Sequence, residues 1–452
     1  LGRCGGTVSL ASGATQSGFG RTGTVDWITT PKTATFTAAS GSGYFVNTTA
    51  GVITVNLPAG AAGSIVSLAD YAATWQTYSV TVSPNGSEKM GGVVGDSTLN
   101  TEGQSVTLVY VDSTQGWVNT MDSTSNIRGD TFMVATGGSV PAGTTCGNYK
   151  IHTFTGPGTL CVSSISCTAA NNEVSYIVVA GGGGGGSSWR SGGGGAGGFR
   201  EFKNSCDPYA ASPLDGSTPI TVTATGYPIT VGGGGAGGGP AQATSGVVGQ
   251  NSVFSTITSA GGGYGGRYNY PGASPGTIGG AGGSGGGGGG SESCAGPSVA
   301  GLGNIPSVSP AQGFPGGPGP LGTFSSGGGG GGATVAGTAG DGTEGPAGSA
   351  GGAGAGTLIS PASGEAGPGP SQYYSGGGGG GQYVNPGAGI NPAGGIGGGG
   401  LGGTEPSPST YTGQTSGTVN TGGGGGGKAG TCSTGLAGSG GSGIVIIRYK
   451  FQ

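Results

Sequence analysis

Several segments have the spacing of reactive sites. Tyr176–Gly186 (YIVVAGGGGGG) has the form of a strand that runs into a phosphate-cradling glycine loop. Such a unit needs a helix next and an acidic residue about 20 positions on. The sequence continues SSWRSGGGGAGGFR, which cannot supply the helix. Gly422–Lys428 satisfies GxxxxGK, yet Ala429 stands where a P-loop needs Ser or Thr to hold magnesium. Gly340–Glu344 (GDGTE) resembles a single calcium-binding repeat, and such sites need stacked copies. The one histidine, His152, reads as a strand residue in YKIHTF. No CxxC pair accompanies it, so a zinc set of four close ligands is missing. Seventeen Asp and Glu in 452 residues leave little material for paired carboxylates. The expectation is no enzyme, no cofactor and no metal.

Trp, Tyr and Arg in the loops between glycine tracts are the stronger signal, because these residues dominate binding hot spots and adaptable paratopes. The candidates are Trp189 and Arg190, the group Tyr264, Arg267, Tyr268 and Tyr270, the pair Tyr373 and Tyr374, then Tyr383 and Tyr411. The competing role for each is to cover the side of a scaffold that has no side chains of its own.

That scaffold is glycine. Five uninterrupted runs of six occur, at 181–186, 285–290, 327–332, 376–381 and 422–427. Of 121 glycines, 25 fall in residues 1–180, so the composition changes near Ala180. Glycine loses the most backbone entropy on ordering and buries no side chain. Five pure runs therefore mean either a flexible spacer or a structure that only glycine can build. An extended helix of the polyproline II type has three residues per turn, a rise of about 3.1 Å and no internal hydrogen bonds. Its amides and carbonyls point outward and need partners. If all residues are glycine, every face can accept a neighbouring helix. The expectation is a bundle of packed polyglycine II helices, with Gly181, Gly285, Gly329, Gly378 and Gly424 as interior structural positions. Pure runs belong inside, and tracts with a periodic Ala, Ser or Pro belong outside.

The rest reads as β-structure with essentially no α-helix. Residues 1–19 form a linker or the end of a preceding module. Residues 20–125 form a β-module whose short strands are punctuated by polar turns. Residues 126–180 form a β-connector. Residues 181–452 form the glycine body, closed where Val174–Val179 pairs with Ile444–Tyr449. Only 7% of residues are charged and the net charge is −4, without basic clusters. That excludes a nucleic-acid footprint, and no apolar stretch approaches the roughly 20 residues that span a bilayer. Seven dispersed cysteines do not make a disulfide scaffold, although Cys161 and Cys167 are spaced to bridge a hairpin. The start at Leu1 rather than Met suggests that an attachment region precedes it.

YKIHTFTGPGTL at 149–160, VSYIVVAGGGGGG, TGGGGGG and the terminal GSGIVIIRYK together resemble the glycine-rich domain of phage tail-fibre proteins, common in phages of marine bacteria and cyanobacteria. The 43–117 module (GYFVNTT, VITVNLP, GQSVTLVYVD, GW) is similar to the β-modules that precede it in such fibres. In design, the glycine body also resembles the tip adhesins of T-even-like phages, where stacked polyglycine helices present loops to a receptor. The resemblance implies a virion protein at the distal, extracellular end of a tail fibre, and a homotrimer joined to other fibre or baseplate proteins. Its partner would be a host outer-membrane protein or surface glycan. The alternatives are a cellular surface or matrix protein that assembles through glycine tracts, and a tailspike depolymerase.

Overall fold

The computed structural model describes residues 25–123, 132–166, 168–239, 244–268, 278–291, 298–321, 326–341, 349–383, 390–407, 410–430 and 435–452. The chain divides into two compact units, Leu1–Gly129 and Asp130–Gln452.

In the first unit, alternating sequences such as ITVN and VTVS point every second residue inward. Successive strands switch between two sheets. Asp26–Lys32, Ser42–Val46 and Ile65–Asp70 lie side by side and parallel in one sheet. Phe36–Thr37, Ile53–Asn56 and Val80–Ser83 do the same in the other. The module is thus a coil of parallel rungs, finished by the antiparallel pair Ser105–Asp112 and Gly116–Ser123. Val46, Val55, Val66, Leu68, Trp75, Val82 and Trp117 fill the space between the sheets.

The second unit stands on a sheet in which Ile444–Lys450 is central. It pairs antiparallel with Tyr149–Phe154 on one side and Glu173–Val179 on the other. Both faces of this sheet are covered. Tyr176, Val178, Val445 and Ile447 face one apolar cluster. Ile177, Val179, Ile444 and Ile446 face another. Continuous apolar runs such as YIVV and IVII are what a strand buried on both faces requires. Residues 132–180 are therefore part of the glycine-rich unit and not a separate connector, because their strands flank its closing strand. Among the described residues the only helix is the short 3-10 turn Ala169–Asn172.

Beyond this base the chain runs back and forth in glycine tracts. All residues of the five six-glycine runs are buried, as are residues 192–198. The bonding of Gly181–Gly186 shows the reason. Gly181 and Gly184 donate to Gln250 and Val247, Gly182 and Gly185 to Gly441 and Gly438, and Gly183 and Gly186 to Gly195 and Gly192, all at 2.8–3.0 Å. In return, their carbonyls accept from Gly262 and Gly265, from Gly235 and Gly238, and from Gly425 and Lys428. One run is thus bonded to six neighbouring tracts, three as donor and three as acceptor. The partner changes with each residue and returns every third. Three residues per turn is the period of the polyproline II helix. An outer tract shows the same period in burial, since Gly232, Gly235 and Gly238 are buried and the residues between them are not.

A Cβ built at any of Gly181–Gly186 would lie closer than 3.0 Å to a backbone carbonyl of an adjoining tract. Interior tracts do admit a few small side chains. Ala196 and Ser284 are fully buried, which departs from the expectation that Ala and Ser mark outer tracts. Ser284 has room because its hydroxyl lies against Gly313, where a Cβ would collide with it. Ala236 and Ala393 point outward as expected.

These contacts fix the first test. A Cβ at Gly424 would strike the Gly194 carbonyl and the Gly378 amide. Gly424→Val should destabilise the unit by more than about 3 kcal/mol, since each buried amide or carbonyl left unpaired costs ~1–3 kcal/mol. Gly413→Ala, at an exposed position with open space around it, should change stability by no more than ~0.5 kcal/mol. Chemical denaturation of the two variants measures the contrast, and equal stabilities would show that the runs are not packed.

Candidate functional site

The tract directions give the bundle two poles. Strands Glu173–Val179 and Ile444–Lys450 lead into and out of it at the base. The runs that start there, 181–186, 376–381 and 422–427, end together at the far pole. There Gly381 donates to Ser191, and Lys428 donates to Gly186. Ser191, first residue after the turn, donates its hydroxyl toward the carbonyls of Gly186 (2.6 Å) and Lys428 (2.8 Å). This ties two run ends into one surface.

Five of the sequence candidates meet at this pole: Trp189, Arg190, Arg267, Tyr268 and Tyr383. The Trp189 ring lies nearly parallel to Tyr383 at 5.6 Å and to Tyr268 at 6.3 Å. The Arg190 guanidinium stands over Tyr268 at 4.7 Å and near Tyr383 at 5.9 Å. Arg190 and Tyr268 are each only 1% exposed. They hold the pole together and offer almost no surface to a partner in this conformation. Stacked pairs contribute ~0.5–1.5 kcal/mol each beyond burial, and a desolvated cation–π contact ~2 kcal/mol. Trp189, Arg267 and Tyr383 are half-buried and keep accessible surface.

The other candidates lie elsewhere. Tyr264 is part of a tract, half-buried, with its ring where a Cβ on Gly280 would go. Tyr373 and Tyr374 are at the base, in strand Gln372–Tyr374. Tyr374 is fully buried in the core cluster beneath the bundle and donates its hydroxyl to the Ser363 carbonyl at 2.8 Å. It is a core residue and not a contact residue. Tyr373 is half-buried beside it. The backbone of Tyr411 is in strand Thr410–Thr412, on the sheet edge that continues from Gln382–Tyr383. Tyr270 lies outside the described residues.

Sequence reading missed the polar residues that end the tracts at the far pole. Gln382, Thr404, Glu405 and Lys428 are all buried there. Burial holds Lys428 below the usual lysine range, and its Nζ donates to the Gly435 carbonyl at 2.8 Å. The available signal was position, since Gln382 and Lys428 each follow a six-glycine run directly.

Titratable groups at the base make a structural network. Arg448 pairs with Asp207 at 3.0 Å and lies over Tyr149 at 4.6 Å. Desolvation raises Asp207 despite the arginine. Glu201, pushed up by burial, accepts from Thr357 Oγ1 at 2.7 Å, Tyr209 at 3.2 Å and the Ser212 amide at 2.8 Å. No group of three or more His, Cys, Asp or Glu among the described residues is arranged to hold a metal ion. Cys161 is a free, exposed thiol, and Cys167 lies outside the described residues.

A family model described as a glycine-rich domain matches residues 155–450. The chain belongs to this family. The matched region of the glycine-rich domain includes the strands Gly158–Ser164, Glu173–Val179 and Ile444–Lys450 as well as the tracts. No curated protein matches the chain.

In the second unit His152 is fully buried. Its Nδ1 donates to the Gly137 carbonyl at 2.8 Å, and its Nε2 accepts from the Tyr449 hydroxyl at 3.3 Å. Burial lowers its pKa, with Lys150 acting in the same direction and the Gly137 bond opposing. The folded state thus binds this proton less readily than the unfolded chain, whose histidine titrates near 6.5. The contribution of His152 is complete above that pH and is lost as pH falls below it. Denaturation of wild type and His152→Gln between pH 5 and 7.5 should show a stability slope in the first that flattens in the second. Parallel pH profiles would contradict the assignment.

Proposed function

We propose that the chain is the distal part of a phage tail fibre, a structural protein that also docks the particle on a host outer-membrane protein or surface glycan. In this reading the protein performs no chemistry. It is part of the virion, assembles as a homotrimer through residues 1–180 and joins other fibre or baseplate proteins.

The supporting observation is the polarity of the bundle. Both strands that lead to the tracts lie at the base, while Trp189, Arg267 and Tyr383 sit at the opposite pole. A lattice bonded through its backbone holds its ends still and places no constraint on the sequence of the inserts that join them. Rigid scaffolds that carry variable loops are a recurrent solution for recognition. Aromatic rings add contact area at a small entropy cost.

The two poles supply the control. Particles carrying Trp189→Ala should adsorb to host cells with about thirtyfold lower affinity, the ~2 kcal/mol expected of a hot-spot residue. Tyr373→Ala, at the base, should leave adsorption unchanged. Normal adsorption of folded Trp189→Ala and Tyr383→Ala particles would remove the far pole from recognition.

A further inference from the structure

The first unit carries a second surface that the far pole does not explain. Its two sheets part where the three-residue edge strand Ser97–Leu99 stands opposite Ser105–Asp112, Gly116–Ser123 and Lys89–Met90. They leave an open cleft of about 380 Å³. That is within the range of small-molecule sites, roughly 300–1,000 Å³. Half-buried Met90 and Leu99 line it with apolar surface above the buried Trp117, and Gln104, Asn119 and Asp122 line it with polar groups.

We propose that this cleft binds a neutral saccharide of one or two pyranose rings. A sugar ring has an apolar C–H face and a rim of hydroxyls, and the lining is divided in the same way. Asp122 is the one ionisable group among the lining residues. Its carboxylate accepts hydroxyl donors and repels anions, so phosphate, sulfate and acidic sugars are disfavoured. Asn119 and Asp122 are solvent-exposed and reachable.

Gln104 is the independent observation. It is 8% exposed, and its Nε2 donates to the two Asp122 oxygens at 3.3 and 3.5 Å. Its Oε1 is buried without a partner. A buried acceptor left unpaired is unfavourable and rare in native proteins. A ligand hydroxyl is the donor that completes it.

The site is also held in place before any ligand arrives. Trp117 Nε1 donates to Glu88 Oε2 at 3.1 Å, and Glu88 Oε1 accepts from the Gly60 amide at 2.8 Å. The Gln104 carbonyl accepts from the Asp70 amide at 2.9 Å. Pre-organisation of this kind reduces the ordering cost of binding.

Saturation-transfer NMR on the full chain tests the assignment with glucose, galactose, N-acetylglucosamine and their β-1,4 disaccharides, and with sialic acid as the anionic comparison. At least one neutral sugar should receive transfer. Leu99→Trp, which fills the cleft from a half-exposed position, and Gln104→Leu should each weaken that binding at least tenfold. Asp122→Ala, at an exposed position, gives the same reading if either variant fails to fold. Tyr373→Ala, at the base of the other unit, should bind sugar as wild type does, and the cleft variants rather than far-pole variants should carry the loss, which keeps this outcome separate from host adsorption. Absence of transfer to every neutral sugar would overturn the proposal. So would a preference for sialic acid, or undiminished binding in the folded cleft variants.

Discussion

A buried backbone with no side chains must satisfy every amide and carbonyl sideways, and the glycine body depends on that constraint. In an ordinary core, apolar side chains provide the burial and the backbone bonds within its own helix or sheet. Here the interior runs are nearly bare main chain. Their stability comes from lateral hydrogen bonds to as many as six neighbours, from close packing, and from weak contacts of Cα–H groups with carbonyls. The same constraint explains the composition. A Cβ in the runs meets backbone, which cannot swing aside. A lattice of this kind also needs a nucleus with side chains, and the base sheet around Ile444–Lys450 provides one with an apolar cluster on each face.

Much of this was legible in the residues. Pure glycine runs announced the interior because no other residue tolerates neighbours on every side. The pairing of Val174–Val179 with Ile444–Tyr449 followed from two apolar runs that bracket the tracts. Other features follow from information that composition does not carry. ITVN and VTVS fix which side chains point inward, but alternation is the same in parallel and antiparallel strands. The parallel coil of the first unit was therefore invisible. Tyr373 and Tyr374 looked alike in sequence, yet neighbours on a strand face opposite ways, and one is core. Their place at the base depends on how many times the chain has crossed the bundle before them. Ala196 and Ser284 show that a small side chain fits inside wherever the adjoining tract leaves a gap.

The two poles divide the labour of the glycine-rich unit. The base contains the buried ion pair of Arg448 and Asp207 and the hydrogen-bond network around buried Glu201, groups whose desolvation is offset by dense hydrogen bonding. The far pole concentrates rings, Arg190 and the buried tract-end residues. Its stack makes a firm platform from residues that are themselves mostly covered. Recognition built on such a platform can change its inserts without disturbing the lattice, whereas changes within the runs propagate to several tracts at once.

Amide hydrogen exchange resolved along the chain tests the lattice most directly. Exposed glycine exchanges quickly, and a lateral hydrogen bond in a dry interior blocks that exchange. The amides of Gly181–Gly186, Gly376–Gly381 and Gly424–Gly427 should be protected to the same degree as those of Ile444–Lys450, and should open with them in one cooperative step. Exchange of the runs at the rate of an unstructured chain, beside a protected base sheet, would show that the tracts are spacers and that the account of the bundle is wrong.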